Sequence, residues 1–289
     1  MERDFLNSCF TQVKLPSIKP YNDWMDIQLR SMDLGVGKLF EASLADARLW
    51  RNILIAISTL VEEADLSTSP EGVKVRSMDP SHVAMVDFEW PKSAFEKFSC
   101  TTPNKIRLNL ANMLKHLKRV KGEETLEMSY DDTTKKVTLI LKGKITKEFT
   151  LPTLEAVEEE VPTPKIVFNS KVKMTTESLR DIIEDAQSIS DNVKLETTPE
   201  KVLVSTSTEL SSVHMTIEKG SEAMLELDVK QPSKATFNLK YLADIIRAGS
   251  AASEIVTMEF STDMPIKIEF EMPQQGHLLY YLAPRIEAE

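Results

Sequence analysis

Cysteine is nearly missing from this chain, which holds only Cys9 and Cys100. Two cysteines without metal-ligand spacing make neither a disulfide framework nor a zinc site, so the reading is an intracellular chain with no metal and no other cofactor. Glycine is scarce too, with 8 residues, and none of them forms a Gly-rich phosphate loop. The 4 histidines, His82, His116, His214 and His277, are scattered and make no H-x-x-H pair. The longest apolar run without a charge is Asn52 to Val61, against the ~20 residues of a membrane-spanning helix. Glu2, Arg3 and Asp4 precede no sustained apolar stretch, so the start offers no secretory signal. Without convergent chemical groups the chain is expected to bind rather than catalyse.

Positive charge is also in deficit, with 35 Lys and Arg against 45 Asp and Glu and a net charge of −10. Duplex binding is driven by neutralising phosphates, so an acidic chain can bind DNA only where its cations are gathered on one surface.

What is present is a repeat. A chain of 289 residues, 42% hydrophobic and 28% charged, is a folded chain of one large or two ordinary domains. TSPEGVKV at 68–75 and TTPEKVLV at 197–204 stand at an offset of 129, and the same offset carries Asn109-Leu110 onto Asn238-Leu239. The repeat predicts two copies of one domain, at 38–155 and 164–289. Each opens on a short strand (Leu39–Leu44; Lys165–Met174) that leads to an amphipathic helix. Trp50, Ile53, Leu54, Ile57, Leu60 and Val61 recur at helical spacing in the first copy, and Leu179, Ile182, Ile183, Ala186 and Ile189 in the second. Thr175 or Thr176 is placed to cap the latter helix. Alternating strands follow, then a second helix near 111–121 and 240–249, then strands at 137–141, 144–151, 255–260 and 266–271. The class is α+β with mostly antiparallel sheets. Between the copies, 151–164 carries Pro152, Pro162, Pro164 and three consecutive glutamates, the composition of an extended linker. Neighbouring residues on extended chain point to opposite sides, which argues against reading the glutamates as a metal cluster.

Six basic residues and no acidic one lie between Lys105 and Gly122. Lys115, Lys118 and Arg119 share one predicted helix face, opposite Met113, Leu114 and Leu117. Arg48 and Arg51 in the first helix of copy one, and Lys240 and Arg247 in the second helix of copy two, occupy comparable places. Arg180 stands among acids. Each helix taken singly also fits a plain solvated face; three in equivalent repeat positions favour a shared basic surface. No aromatic residue interleaves these positions, so phosphates rather than stacked bases are the expected contacts.

Two segments carry a family resemblance. SMDPSHVAMV at 77–86 and GHLLYYLAPRIE at 276–287 resemble signature segments of the proliferating cell nuclear antigen family, and AISTLVEEAD and DMPIKIEF, each preceding one of them, fit as well. The resemblance runs from Leu39 to the end, in archaeal wording more than eukaryotic. It implies a DNA clamp fold and a sliding clamp, the polymerase processivity factor that encircles double-stranded DNA without reading sequence. The ring would be a homotrimer or heterotrimer of six similar domains, its helices lining the hole. Arg48, Arg51, Lys115, Lys118, Arg119, Arg180, Lys240 and Arg247 would then face DNA. A pocket for short apolar-aromatic motifs of DNA polymerase, clamp loader, flap endonuclease and DNA ligase would use Met78, His82, Val83 and Met85 from a front loop. The linker would add Leu154, Val157 and Pro162, and the C-terminal segment Pro265, Tyr281, Ala283, Pro284 and Ile286. The alternative is a specialised subunit of a heterotrimeric or checkpoint-type clamp. The first helix of copy two is less basic than the family pattern, and the linker is shorter. Residues 1–37 match nothing in the family and read as an extension or as an upstream start, with Met32 the preferred start.

Overall fold

The computed structural model describes residues 38–156, 161–162 and 164–286; the segment 1–37 and Val157 of the linker lie outside them. The first copy runs β1 (Lys38–Leu44), α1 (Ala47–Ser58), β2 (Glu63–Ser69), β3 (Gly72–Met78), β4 (Ala84–Pro91), β5 (Lys97–Cys100), β6 (Asn104–Asn109), α2 (Leu110–Leu117), β7 (Thr125–Asp131), β8 (Lys136–Lys142) and β9 (Thr146–Pro152). The second copy runs β10 (Ser170–Thr175), α3 (Thr176–Gln187), β11 (Asn192–Thr197), β12 (Lys201–Ser207), β13 (Ser212–Glu218), β14 (Met224–Val229), β15 (Ser233–Asn238), α4 (Leu239–Ser250), β16 (Ile255–Phe260), β17 (Ile266–Glu271) and β18 (His277–Leu282). The element order is the same twice over, and α1 with α3, β3 with β12 and α2 with α4 begin 129 residues apart.

Caps set the helix starts. Asn109 accepts from the Asn112 N–H at 2.8 Å, and Asn238 from Lys240 and Tyr241, so the repeated Asn-Leu pair is a repeated N-cap. Of the two threonines eligible to cap α3, Thr175 does so, through the Ser178 N–H. Two predicted elements are shorter than their sequence patterns. Helix α2 stops at Leu117 rather than near 121, because Lys121 and Glu124 close a turn on each other through Lys121 N to Glu124 Oε2 at 2.7 Å and Glu124 N to Lys121 O. Lys118 is therefore the C-cap and Arg119 lies beyond the helix. The strand predicted from Lys165 begins only at Ser170, where β14 and β16 supply neighbours on both sides.

The sheets follow the order β5-β1-β7-β8-β9, then β14-β10-β16-β17-β18-β4-β3-β2-β6, then β13-β12-β11-β15. The nine-stranded sheet is a five-stranded unit of copy two joined through β18 and β4 to a four-stranded unit of copy one. One sheet face buries Val86, Phe88, Phe270, Tyr280 and Leu282 against the helices, where Trp50, Ile53, Ile57, Leu242 and Ile246 meet them. Each such side chain contributes ~1.5–3 kcal/mol of apolar transfer. Tyr280 crosses the layers and donates its hydroxyl to the Ala56 carbonyl of α1 at 2.9 Å, so the junction between copies is held by backbone pairing on one side and helix contact on the other. Among the described residues no helix is long and apolar enough to cross a membrane.

Candidate nucleic-acid interface and partner pocket

Helix contacts run in the order α2–α1–α4–α3, so the four helices form one layer over one side of the sheets. Each helix buries its apolar stripe, which leaves its polar stripe outward. Lys115, Lys118, Arg119, Lys240 and Arg247 are all exposed on this layer or at its end. Among the described residues Lys115 reaches Asn112 at 3.1 Å and Arg247 reaches Asp244 at 3.3 Å. Two of the predicted cations are held by their own copy. Asp46, the N-cap of α1, accepts three side-chain bonds from the Arg48 guanidinium, and the half-buried Arg51 donates to the Val120 carbonyl at 3.1 Å. Arg180 leans on Asp181 at 3.5 Å. Arg48 and Arg51 thus tie α1 to its surroundings as well as adding positive charge.

The opposite face of the nine-stranded sheet carries the apolar strip. Strand pairing sets Met78 beside Met85, Met85 beside Tyr281 and Tyr281 beside Lys267. Met85 is buried and Tyr281 half-buried, and burial pushes the Tyr281 phenol up from its ordinary value, so the hydroxyl stays a donor. Ion pairs border the strip: Arg76 with Asp87 at 2.6 Å, and Lys267 with Glu259 at 2.7 Å and Glu269 at 3.2 Å. Val83 is tied to the C-terminal segment by the Ala283 N–H at 2.9 Å, and Arg285 continues that segment along β15 through the Thr236 carbonyl. His82 is exposed at φ 56. Pro265, Ala283 and Pro284 are half-buried, and Ile286 projects with 86% of its surface free. Leu154 stands apart. It bridges Arg107 on the outer edge of β6, with β6, β2 and β3 between it and the strip's β4 edge, roughly 19 Å away at ordinary strand spacing. Pro162 is exposed.

Two residues escaped the sequence reading. Asp79, 3% exposed, accepts from the N–H groups of Ser81, Val83 and Ala84 at 3.0, 2.7 and 2.6 Å, and from the Tyr241 hydroxyl of α4 at 2.9 Å. Burial alone would raise its carboxyl, but these donors outweigh it and hold the pKa below the ordinary carboxylate value. The Asp-Pro-Ser order was a readable turn signal; nothing in the sequence pointed to Tyr241. Among the described residues no group of three or more His, Cys, Asp or Glu side chains could hold a metal ion.

A chain of this build, with two similar domains, a helix layer bearing cations, an apolar strip and open sheet edges, has the architecture of a clamp subunit. Residues 39–160 match the proliferating cell nuclear antigen N-terminal domain and residues 162–285 its C-terminal domain. "DNA polymerase sliding clamp 1" of Pyrobaculum aerophilum is 37% identical over 242 residues, which cover 84% of this chain and 96% of that protein. The "DNA polymerase sliding clamp" of Nitrosopumilus maritimus is 34% identical, covering 82% and 94%. The crystal structure of PCNA from Thermococcus kodakaraensis superposes with a TM-score of 0.81 at 26% identity, covering 85% of this chain and all of that one. The chain belongs to the proliferating cell nuclear antigen family.

Proposed function

We propose that this chain is a DNA sliding clamp, the subunit of a closed homotrimeric ring that encircles duplex DNA inside the cell and tethers DNA polymerase to it. One observation carries the reading. The inner junction joins β18 of copy two to β4 of copy one, and the equivalents of those strands, β9 in copy one and β13 in copy two, are each an end strand of one of the other two sheets. Pairing β9 of one chain with β13 of the next rebuilds a nine-stranded sheet from five and four. Such a head-to-tail contact can close into a ring, and it covers both of these edges. The register of the inner junction, Tyr280 with Val86 and Leu282 with Ala84, transfers to Phe149 opposite Val213 and Leu151 opposite Ser211. Phe149 is half-buried and stacks on His116, 4.5 Å between ring centroids.

The helix layer would then line the hole, where Lys115, Lys118, Lys240 and Arg247 meet phosphates that change as the ring slides. Weak, screened contacts suit this, because linkage is topological. The same equivalence explains one pocket per chain. The positions matching Met78, Met85 and Tyr281 at the subunit junction are Ser207, Ser212 and Thr150, so only the inner junction offers the soft apolar strip that short apolar-aromatic motifs of polymerase, clamp loader, flap endonuclease or ligase would enter. The family is one of processivity factors, which fits binding without catalysis.

The test is retention. Loaded onto nicked circular DNA the protein should stay bound, and cutting the circle should release it within the sliding time. Tyr281→Ala with Ile286→Ala should leave retention unchanged and abolish polymerase stimulation. Equal release from circle and linear DNA would remove the ring; full stimulation by the double variant would move the pocket elsewhere.

A further inference from the structure

The turn between β3 and β4, which borders the apolar strip, is held from a distance. His82 stands in the left-handed region at φ 56, where a residue with a side chain is uncommon. Asp79 fixes the turn from within, and its Oδ2 also accepts from the Tyr241 hydroxyl of α4 at 2.9 Å. The Val83 carbonyl accepts from the Ala283 N–H of the C-terminal segment, which runs on to β15, where the Arg285 N–H meets the Thr236 carbonyl at 2.7 Å. The Arg285 guanidinium donates to Asn192 Oδ1 at 2.9 Å, and Asn192 pairs with Asn238, the N-cap of α4. Front turn and C-terminal segment therefore both rest on residues 236–241.

The repeat supplies the control. Shifted by 129, Asp79 becomes Thr208 and Tyr241 becomes Asn112, both exposed. The turn at Thr208 closes on itself, through the Thr208 N–H to the Ser211 carbonyl at 2.8 Å and the Ser211 N–H to the Thr208 hydroxyl at 3.2 Å. Such a hairpin thus closes without an acid at this position. Carboxylate and phenol occur together at the junction that carries Met78, Met85 and Tyr281, and neither stands at the equivalent places beside Ser207, Ser212 and Thr150. The pair goes with the apolar strip rather than with the fold.

We propose that Tyr241 is a positioning residue of the partner pocket, whose bond to Asp79 holds the turn carrying His82 and Val83 against the first turn of α4 in the shape that an apolar-aromatic motif needs. This rests on the pocket reading above. A phenol donating to a carboxylate is among the stronger hydrogen bonds. With the bond in place the turn is set before the partner arrives. Without it the motif has to order the turn on binding, which lowers affinity and shortens residence.

Peptide affinity tests this in the full-length protein, read by fluorescence anisotropy with a labelled peptide bearing the apolar-aromatic motif of the cognate DNA polymerase. Tyr241→Phe removes one hydroxyl and should raise Kd about fivefold or more, while ring mass and retention on circular DNA stay as in the unaltered protein. Gly249→Ala on the same helix, where the added methyl meets Phe270, should lower stability yet leave Kd unchanged. Adding Tyr241→Phe to Asp79→Asn should cost little beyond Asp79→Asn alone, because the phenol's acceptor is already altered. An unchanged Kd in Tyr241→Phe, fully additive losses in the double variant, or a Kd that follows stability equally in Tyr241→Phe and Gly249→Ala would overturn the positioning role and leave the pocket standing. If Tyr281→Ala with Ile286→Ala leaves Kd unchanged, the pocket reading falls and the role of Tyr241 falls with it.

Discussion

Asp79 shows how one carboxylate can organise a turn. Its four hydrogen bonds hold the turn that carries His82 and Val83, and the bond from Tyr241 fastens that turn to α4. A buried acceptor left with fewer donors costs about 1–3 kcal/mol. Asp79→Asn keeps the shape but turns one oxygen into a donor that faces other donors, so urea unfolding at pH 7 should show a loss of that size. The sign with pH follows from the lowered carboxyl. Its contribution is fully present above the unfolded value of about 3.9 and is lost as pH falls through the lower folded value. The gap between Asp79→Asn and the unaltered protein should therefore be wide at pH 7 and close as pH falls through the lowered folded value; a gap independent of pH would mean that the charge is not what organises the turn.

Among the elements, α4 approaches its sheet closely at a glycine. Gly249, inside the helix and buried, lies under the Phe270 ring of β17, and a methyl group built there would overlap the ring. Two effects compete. Alanine favours the helix by up to about 1 kcal/mol, while forcing a methyl into a filled contact costs about 1–3 kcal/mol. The overlap is with a fully buried ring that also meets Tyr280 edge-on at 6.0 Å, so it cannot swing aside cheaply. Gly249→Ala should thus destabilise the protein by about 1 kcal/mol or more in urea titration, where a gain in stability would show that the helix has room to shift.

At the scale of the whole molecule, the net charge of −10 and a DNA-facing role are compatible only through segregation. The helix layer exposes Lys115, Lys118, Lys240 and Arg247, and the outer sheet face carries ion pairs such as Lys171 with Glu226 and Lys173 with Glu271. Replacing Lys115, Lys240 and Arg247 with alanine should leave assembly intact, because exposed charges contribute little to stability. Residence on circular DNA should shorten, and its dependence on salt should become shallower, since fewer counterions are released for each ring bound. A residence time and salt slope equal to those of the unaltered protein would remove these three from the interface.

Local pattern was enough for the duplication, the α+β class and several elements. The strands Ile255–Phe260 and Ile266–Glu271 and the Asn-Leu helix starts follow from alternation, periodicity and capping, which neighbouring residues encode by themselves. The signature segments identified the family for the same reason, being contiguous. Tertiary structure alone decided what depends on distance along the chain. Tyr241 finds Asp79 across 162 residues, Arg51 finds Val120 across 69, and α2 ends early because of a turn closed by Glu124. Which apolar residues form the strip was also a matter of strand register, which pairs Met85 with Tyr281 and leaves Leu154 at another edge. Periodicity records whether a side chain is buried; it carries no information about which distant strand or charge it will meet.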